Sequence, residues 1–80
     1  MNRKVSYEQL KTYESHNVIR GEFATDKPSV TLAIVTSIDV NGKLVAHFEV
    51  DNNLFIERFE NLKDAINEYN DIIEVLYYQI

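Results

Sequence analysis

The sequence has no cysteine and no tryptophan, one proline, one methionine and two glycines. Without cysteine there is no disulfide, no thiol nucleophile and no zinc knuckle, and the composition fits a reducing compartment. No apolar run exceeds the four residues Leu32 to Val35, which excludes a membrane-spanning helix and the apolar core of a secretory signal. Positive charge is scarce as well: 8 Lys and Arg stand against 13 Asp and Glu, for a net charge of −5. Direct nucleic-acid binding by phosphate neutralisation needs a basic footprint and is disfavoured. What is present, 45% hydrophobic and 26% charged over 80 residues, describes one small domain spanning residues 1–80, soluble and cytoplasmic. Apolar burial alone must offset the chain entropy, so little surplus stability is expected.

Ser6 is placed as an N-cap with Gln9 three residues later to close a capping box, and Val5 and Leu10 can form a hydrophobic staple. Helix is predicted from Tyr7 to about Glu14, with Asn17 as its left-handed stop. From Val18 the hydrophobic period changes to two. A first strand is predicted over Val18 to Ala24, joined by Thr25, Asp26, Lys27 and Pro28 to the next, so that Phe23 pairs with Val30 and Ile19 with Ile34. The following turn is solved by register. A two-residue Asn41-Gly42 loop would set Ile34 against Glu49. A three-residue loop of Val40, Asn41 and Gly42 instead pairs Ile38 with Leu44, Ile34 with Phe48 and Leu32 with Val50, with Gly42 in the left-handed position of a type I turn and G1 bulge. A loop of Asp51, Asn52 and Asn53 then pairs Val50 with Leu54 and Phe48 with Ile56, making Leu54 to Phe59 a fourth strand with Phe55 and Phe59 on the opposite face. Asn61 caps a second helix whose apolar stripe, from Leu62 through Ala65, Ile66, Tyr69 and Ile73, continues to the terminus. The alternative ends this helix near Ile73 and makes Val75 to Ile80 a strand. The fold class is α+β: an N-terminal helix, a three- to four-stranded antiparallel meander and a C-terminal helix, with both helices on the even-numbered face of the central strands.

Catalytic patterns are sparse. Gly21 and Gly42 are too far apart for a phosphate-cradling loop, and no Ser, Thr or Tyr has a general base at a diagnostic spacing, so the chain reads as non-enzymatic. In the predicted register His47 stands near Glu49 and Glu57. The flat face offers no cavity, so this trio reads as an exposed His–carboxylate pairing, with no metal and no cofactor.

The acidic residues say more. Residues 1–48 carry six Lys and Arg against five acids, a net of +1, whereas residues 49–80 carry only Arg58 and Lys63 against eight acids, a net of −6. Asp64, Glu68 and Asp71 follow i, i+4, i+7 spacing along one helical stripe, with Glu60 at its start and Glu74 beyond. Rises of about 6 and 4.5 Å between them resemble the spacing of phosphates along a strand. Such a stripe is either a face kept acidic for solubility or a surface that meets a basic channel as DNA would. A second anomaly is the outer sheet face carrying Val35, Val45, Phe55 and Phe59, an apolar patch that suits a protein partner or a second copy in a homodimer.

A helix, a short antiparallel meander turned by Asn41-Gly42, and an acidic helix containing Glu68-Tyr69-Asn70-Asp71 together resemble the small phage-encoded anti-CRISPR proteins, which inhibit RNA-guided DNA nucleases. The resemblance implies a cytoplasmic inhibitor that occupies the nuclease's basic recognition site with acidic and polar side chains. Carried over, the candidates are Asp64, Glu68, Asp71 and Glu74, then Asp39 and Asn41 at the hairpin tip. The alternative is a plain interaction module or homodimer using Phe55 and Phe59.

Overall fold

A computed structural model describes residues 3–78. The elements run in the order α1 (Tyr7–Leu10), β1 (Glu14–Ala24), β2 (Lys27–Ile38), β3 (Leu44–Asp51), β4 (Ile56–Phe59) and α2 (Leu62–Ile73), and α2 continues as a π-helical turn over Glu74–Tyr78. The strands form one antiparallel meander in the order β1-β2-β3-β4. The expected α+β class is therefore the observed one.

The β2–β3 hairpin has the predicted register, with Ile38 opposite Leu44, Ile34 opposite Phe48 and Leu32 opposite Val50. Its turn works as the residues require. Gly42 takes φ 80°, in the region where a Cβ is penalised. The Asp39 carboxylate accepts the backbone N–H groups of Asn41 and Lys43 at 2.8 and 2.9 Å. This register turns Val30, Leu32 and Val50 toward α2, where they pack against Ala65 and Tyr69 with Phe48, Phe59 and Ile72 around them.

Three expectations are corrected. The capping box at Ser6 and Gln9 forms, but α1 ends at Leu10 and β1 begins at Glu14. Nothing in α1 is buried, and an isolated short helix is marginal, so pairing of Glu14 and Ser15 with Ser37 and Thr36 wins. Asn17 consequently lies inside β1, opposite Ile34, and is no helix stop.

The β1–β2 connection is the two residues Thr25 and Asp26, and Phe23 does not pair with Val30, nor Ile19 with Ile34. Two irregularities change the register. One inserts Ile19 between Val18↔Ala33 and Arg20↔Leu32; the other, between Glu22↔Val30 and Ala24↔Lys27, accommodates Pro28, which has no N–H for the ladder. The first moves β1 side chains to new faces: His16 and Val18 share the outer face with Val35, while Arg20 and Glu22 share the α2 face with Leu32 and Val30. Phe23 instead lays its ring over Gly21, where an added Cβ would come within 2.6 Å of it.

The β3–β4 connection is four residues, Asn52 to Phe55. Asp51 accepts the N–H of Asn53, Asn52 accepts those of Leu54 and Phe55, and Asn53 adopts φ 78°. These side-chain turns stabilise a longer loop than hydrophobic pairing alone suggests. The result is Phe48 opposite Phe59 and Val50 opposite Glu57, so Phe59 belongs to the core and does not share an outer face with Phe55.

The second helix is helical through Tyr78, and the strand alternative does not form over 75–78; residues 79 and 80 lie outside the described range. Widening to π winding accompanies an anchor, since the Tyr77 hydroxyl donates to the Pro28 carbonyl at 3.2 Å and Lys27 Nζ sits 5.0 Å from its ring centroid.

A 12-residue α2 covers only one end of strands up to 12 residues long. The molecule measures 60 × 25 × 18 Å, with a radius of gyration of 16.4 Å against about 12 Å for a compact chain of this length. At the far end α1 leans on the hairpin through Tyr7, whose hydroxyl donates to the Asp39 carbonyl at 3.2 Å.

Two stability predictions follow from these details. Gly42→Val should cost about 1 kcal/mol or more in urea unfolding, clearly beyond Asn41→Ala, because only the former forces a β-branched residue to positive φ. The buried Tyr69 hydroxyl has no hydrogen-bond partner among the described residues. Tyr69→Phe should therefore raise stability by roughly 1 kcal/mol, since it removes an unsatisfied buried polar group.

Candidate functional site

The structure separates the acidic residues into distinct environments. Asp64 is bound into the helix start: its N–H donates to Asn61 Oδ1 at 2.9 Å and its carboxylate accepts from Asn61 Nδ2 at 2.8 Å. Glu60 pairs with Arg58 at 3.3 Å on the surface. Asp39 is occupied in its turn, with exposed Asn41 beside it, at the end of the molecule remote from α2. Glu74 lies on the β1 flank of α2, where it lines a groove of about 540 Å³ with Arg20, Glu22 and Tyr69. In that groove the Tyr69 phenol is held above its ordinary pKa by burial and then by the Glu22 carboxylate, with Arg20 opposing.

Glu68 and Asp71 lie on the other flank, and β4 brings Glu57 to them. Because Glu57 stands opposite Val50, it faces α2. The Glu68 carboxyl is held above the usual carboxylate range, first by side-chain hydrogen bonding with Glu57 and then by burial and the charges of Glu57 and Asp71. None of the ion pairs among the described residues engages Glu57, Glu68 or Asp71. Glu68 and Asp71 border a groove of about 290 Å³ whose apolar lining includes Leu54, Ile72, Val75 and Leu76. Leu54 and its neighbour Phe55 are exposed in the β3–β4 loop, at 84% and 57%. An unneutralised acidic wall beside an apolar trough can take a basic side chain and the aliphatic stem that carries it.

Of the residues singled out by sequence, Glu68 and Asp71 line this groove and Phe55 sits in the loop beside it, while Phe59 supports it from the core. Glu57 was absent from the acidic set because the expected β4 register placed it next to His47. Turning Phe59 toward Phe48 puts Glu57 on the α2 side, and that alternation was the signal available in Ile56-Glu57-Arg58-Phe59.

On the opposite face His47 pairs with Glu49 at 2.8 Å, and His16 approaches the other Glu49 oxygen at 3.9 Å while also contacting Glu14. Glu57 takes no part. Among the described residues no group of three or more His, Asp or Glu is arranged to hold a metal ion. Val35, 1% exposed on this uncovered face, is flanked by His16 on β1 and His47 on β3.

The Glu57–Glu68 contact makes stability depend on pH in a defined direction. Folding raises the Glu68 pKa above its ordinary 4.5, so the associated stabilisation is complete below that value and is lost as pH rises through the raised one. Glu68→Gln should stabilise the chain by about 0.5 kcal/mol at pH 7. The gain should vanish below pH 4.5, as read by urea titrations at both pH values.

Comparison with known proteins finds no match: no family model, no curated protein and no solved structure corresponds to this chain.

Proposed function

We propose that this chain is a non-enzymatic binding protein of a phage or mobile element, anti-CRISPR-like in its action, that uses its acidic surface to occupy a basic nucleic-acid-binding site on a nuclease. The observation that supports this reading is the cluster of Glu57, Glu68 and Asp71 beside the Leu54 groove. Gathering three carboxylates without a cation among the described residues costs the isolated fold stability. A cationic partner converts that cost into affinity, because each desolvated charge-assisted contact contributes about 1.5 to 3 kcal/mol. Exposed Leu54 and Phe55 add an apolar component beside the charge. Electrostatic attraction then governs the encounter, making association fast and sensitive to salt.

The test uses purified RNA-guided DNA nucleases loaded with guide and assayed for DNA cleavage in the presence of this chain. Inhibition relieved by added salt is expected. The triple change Glu57→Gln, Glu68→Gln and Asp71→Asn should keep the fold while weakening inhibition at least about a hundredfold, or roughly 2.7 kcal/mol. It should also flatten the salt dependence. A triple variant that inhibits as well as the parent overturns the role of the acidic cluster. Failure of the parent to inhibit any nuclease of the panel overturns the choice of partner.

A further inference from the structure

We propose that two copies of this chain join edge to edge through β1, antiparallel, with Gly21 of each copy opposite Gly21 of the other on a two-fold axis. The two edges of the sheet differ. One is β4, four residues long; the other is β1, 11 residues long and paired only with β2. No backbone hydrogen bond outside the sheet ladder reaches β1 among the described residues, and α2 packs chiefly on β2, β3 and β4. Edge strands are commonly protected by Lys or Pro, and β1 contains neither. It instead exposes Ile19 at 51% and Phe23 at 69%.

The sequence of the edge identifies the occupant, because the segment Ile19-Arg20-Gly21-Glu22-Phe23 is complementary to itself when reversed about Gly21. In that register Arg20 stands opposite Glu22 of the second copy and Ile19 opposite its Phe23, and symmetry makes each pair twice. Arg20 and Glu22 share one face and already approach each other along the strand at 3.4 Å. Across the axis each therefore gains a second neighbour of opposite charge. Other registers lose this match. Centring on Arg20 or on Glu22 sets that charge against itself, and centring on Val18 sets Glu14 against Glu22. Centring on Ile19 places Arg20 against Val18 and Phe23 against Ser15, while centring on Asn17 leaves Phe23 beyond the paired strands.

The irregularities of β1 obey the same symmetry. One falls between Val18 and Arg20, the other between Glu22 and Ala24, so they are equally distant from Gly21 and oppose each other in the pair. The strand centre lacks a side chain, and the Phe23 ring fills the place that a Gly21 Cβ would take, 2.6 Å away. Two such rings close over the glycine pair. The paired sheets become continuous, as in strand addition generally. The contact is narrow, which places it among weak interfaces that form as concentration rises. Glu57, Glu68 and Asp71 lie toward β4, at the opposite edge, so the acidic groove stays open on both copies and its function is tested separately.

Sedimentation equilibrium of the full chain should give a mass that climbs with concentration from 9.3 kDa toward twice that value. Glu22→Arg sets Arg against Arg twice and should weaken dimerisation at least about tenfold. The double change Arg20→Glu with Glu22→Arg restores opposite charges in the same register and should restore dimerisation, while Val45→Lys, on β3 away from the edge, should leave it unchanged. Hydrogen exchange of the unaltered chain reads the interface without any substitution: amides of residues 18–24 should gain protection as concentration rises, and those of 56–59 should not. A parent chain that stays monomeric up to millimolar concentration overturns the proposal. So does a Glu22→Arg variant that dimerises like the parent, a double variant as weak as Glu22→Arg, or concentration-dependent protection that appears at 56–59 and not at 18–24.

Discussion

The register of β2 against β3 governs everything packed on the sheet. It is held at one end by Gly42 in the left-handed region and by the Asp39 carboxylate on two backbone N–H groups. A slip of one residue would send Val30, Leu32 and Val50 to the solvent side together. The core is small enough that such a loss could not be made good: among the described residues Val30, Val35, Val50 and Ala65 are at most 1% exposed, and the next most buried, Leu32, is at 4%. With the register fixed, β2 offers α2 a face of Val30 and Leu32, β3 adds Phe48 and Val50, and the helix docks Ala65 and Tyr69 onto them.

A mismatch of length follows. Strands of 11 and 12 residues rise at about 3.3 Å per residue, whereas a 12-residue α-helix rises at about 1.5 Å per residue. One helix cannot cover such a sheet. The covered end joins α2 to β4 and gathers the carboxylates of Glu57, Glu68 and Asp71; the uncovered end is free of charge on the α2 side and borders α1. Two surfaces of opposite character thus sit on one short chain, one suited to cations and the other to apolar contact.

The outer face shows how neighbouring side chains alone can bury a residue. Val35 has no layer above it, yet His16 and His47 stand beside it on the adjoining strands and leave it 1% exposed. The imidazoles are held in turn by Glu14 and Glu49. Their polar edges meet water while the rings shield the valine, so the sheet needs no second helix on that side.

Local chemistry determined much of this protein. The capping box at Ser6, the glycine turn at Gly42, the alternation of Leu32, Ile34, Phe48 and Val50, and the helical stripe behind Asn61 are each complete within a few residues, and each forms as the residues dictate. Glu68 and Asp71 were legible by helical spacing alone. Tertiary structure decided what depends on competition between distant segments. The end of α1 is set by strand pairing with β2, and the faces of His16 and Arg20 by an extra residue at Ile19. The burial of Phe59 and the turning of Glu57 toward Glu68 depend on side-chain hydrogen bonds in the Asn52 to Phe55 loop. A single inserted residue leaves the local hydrophobic pattern almost unchanged but inverts every face beyond it, and only contact with the neighbouring strand selects between the two outcomes.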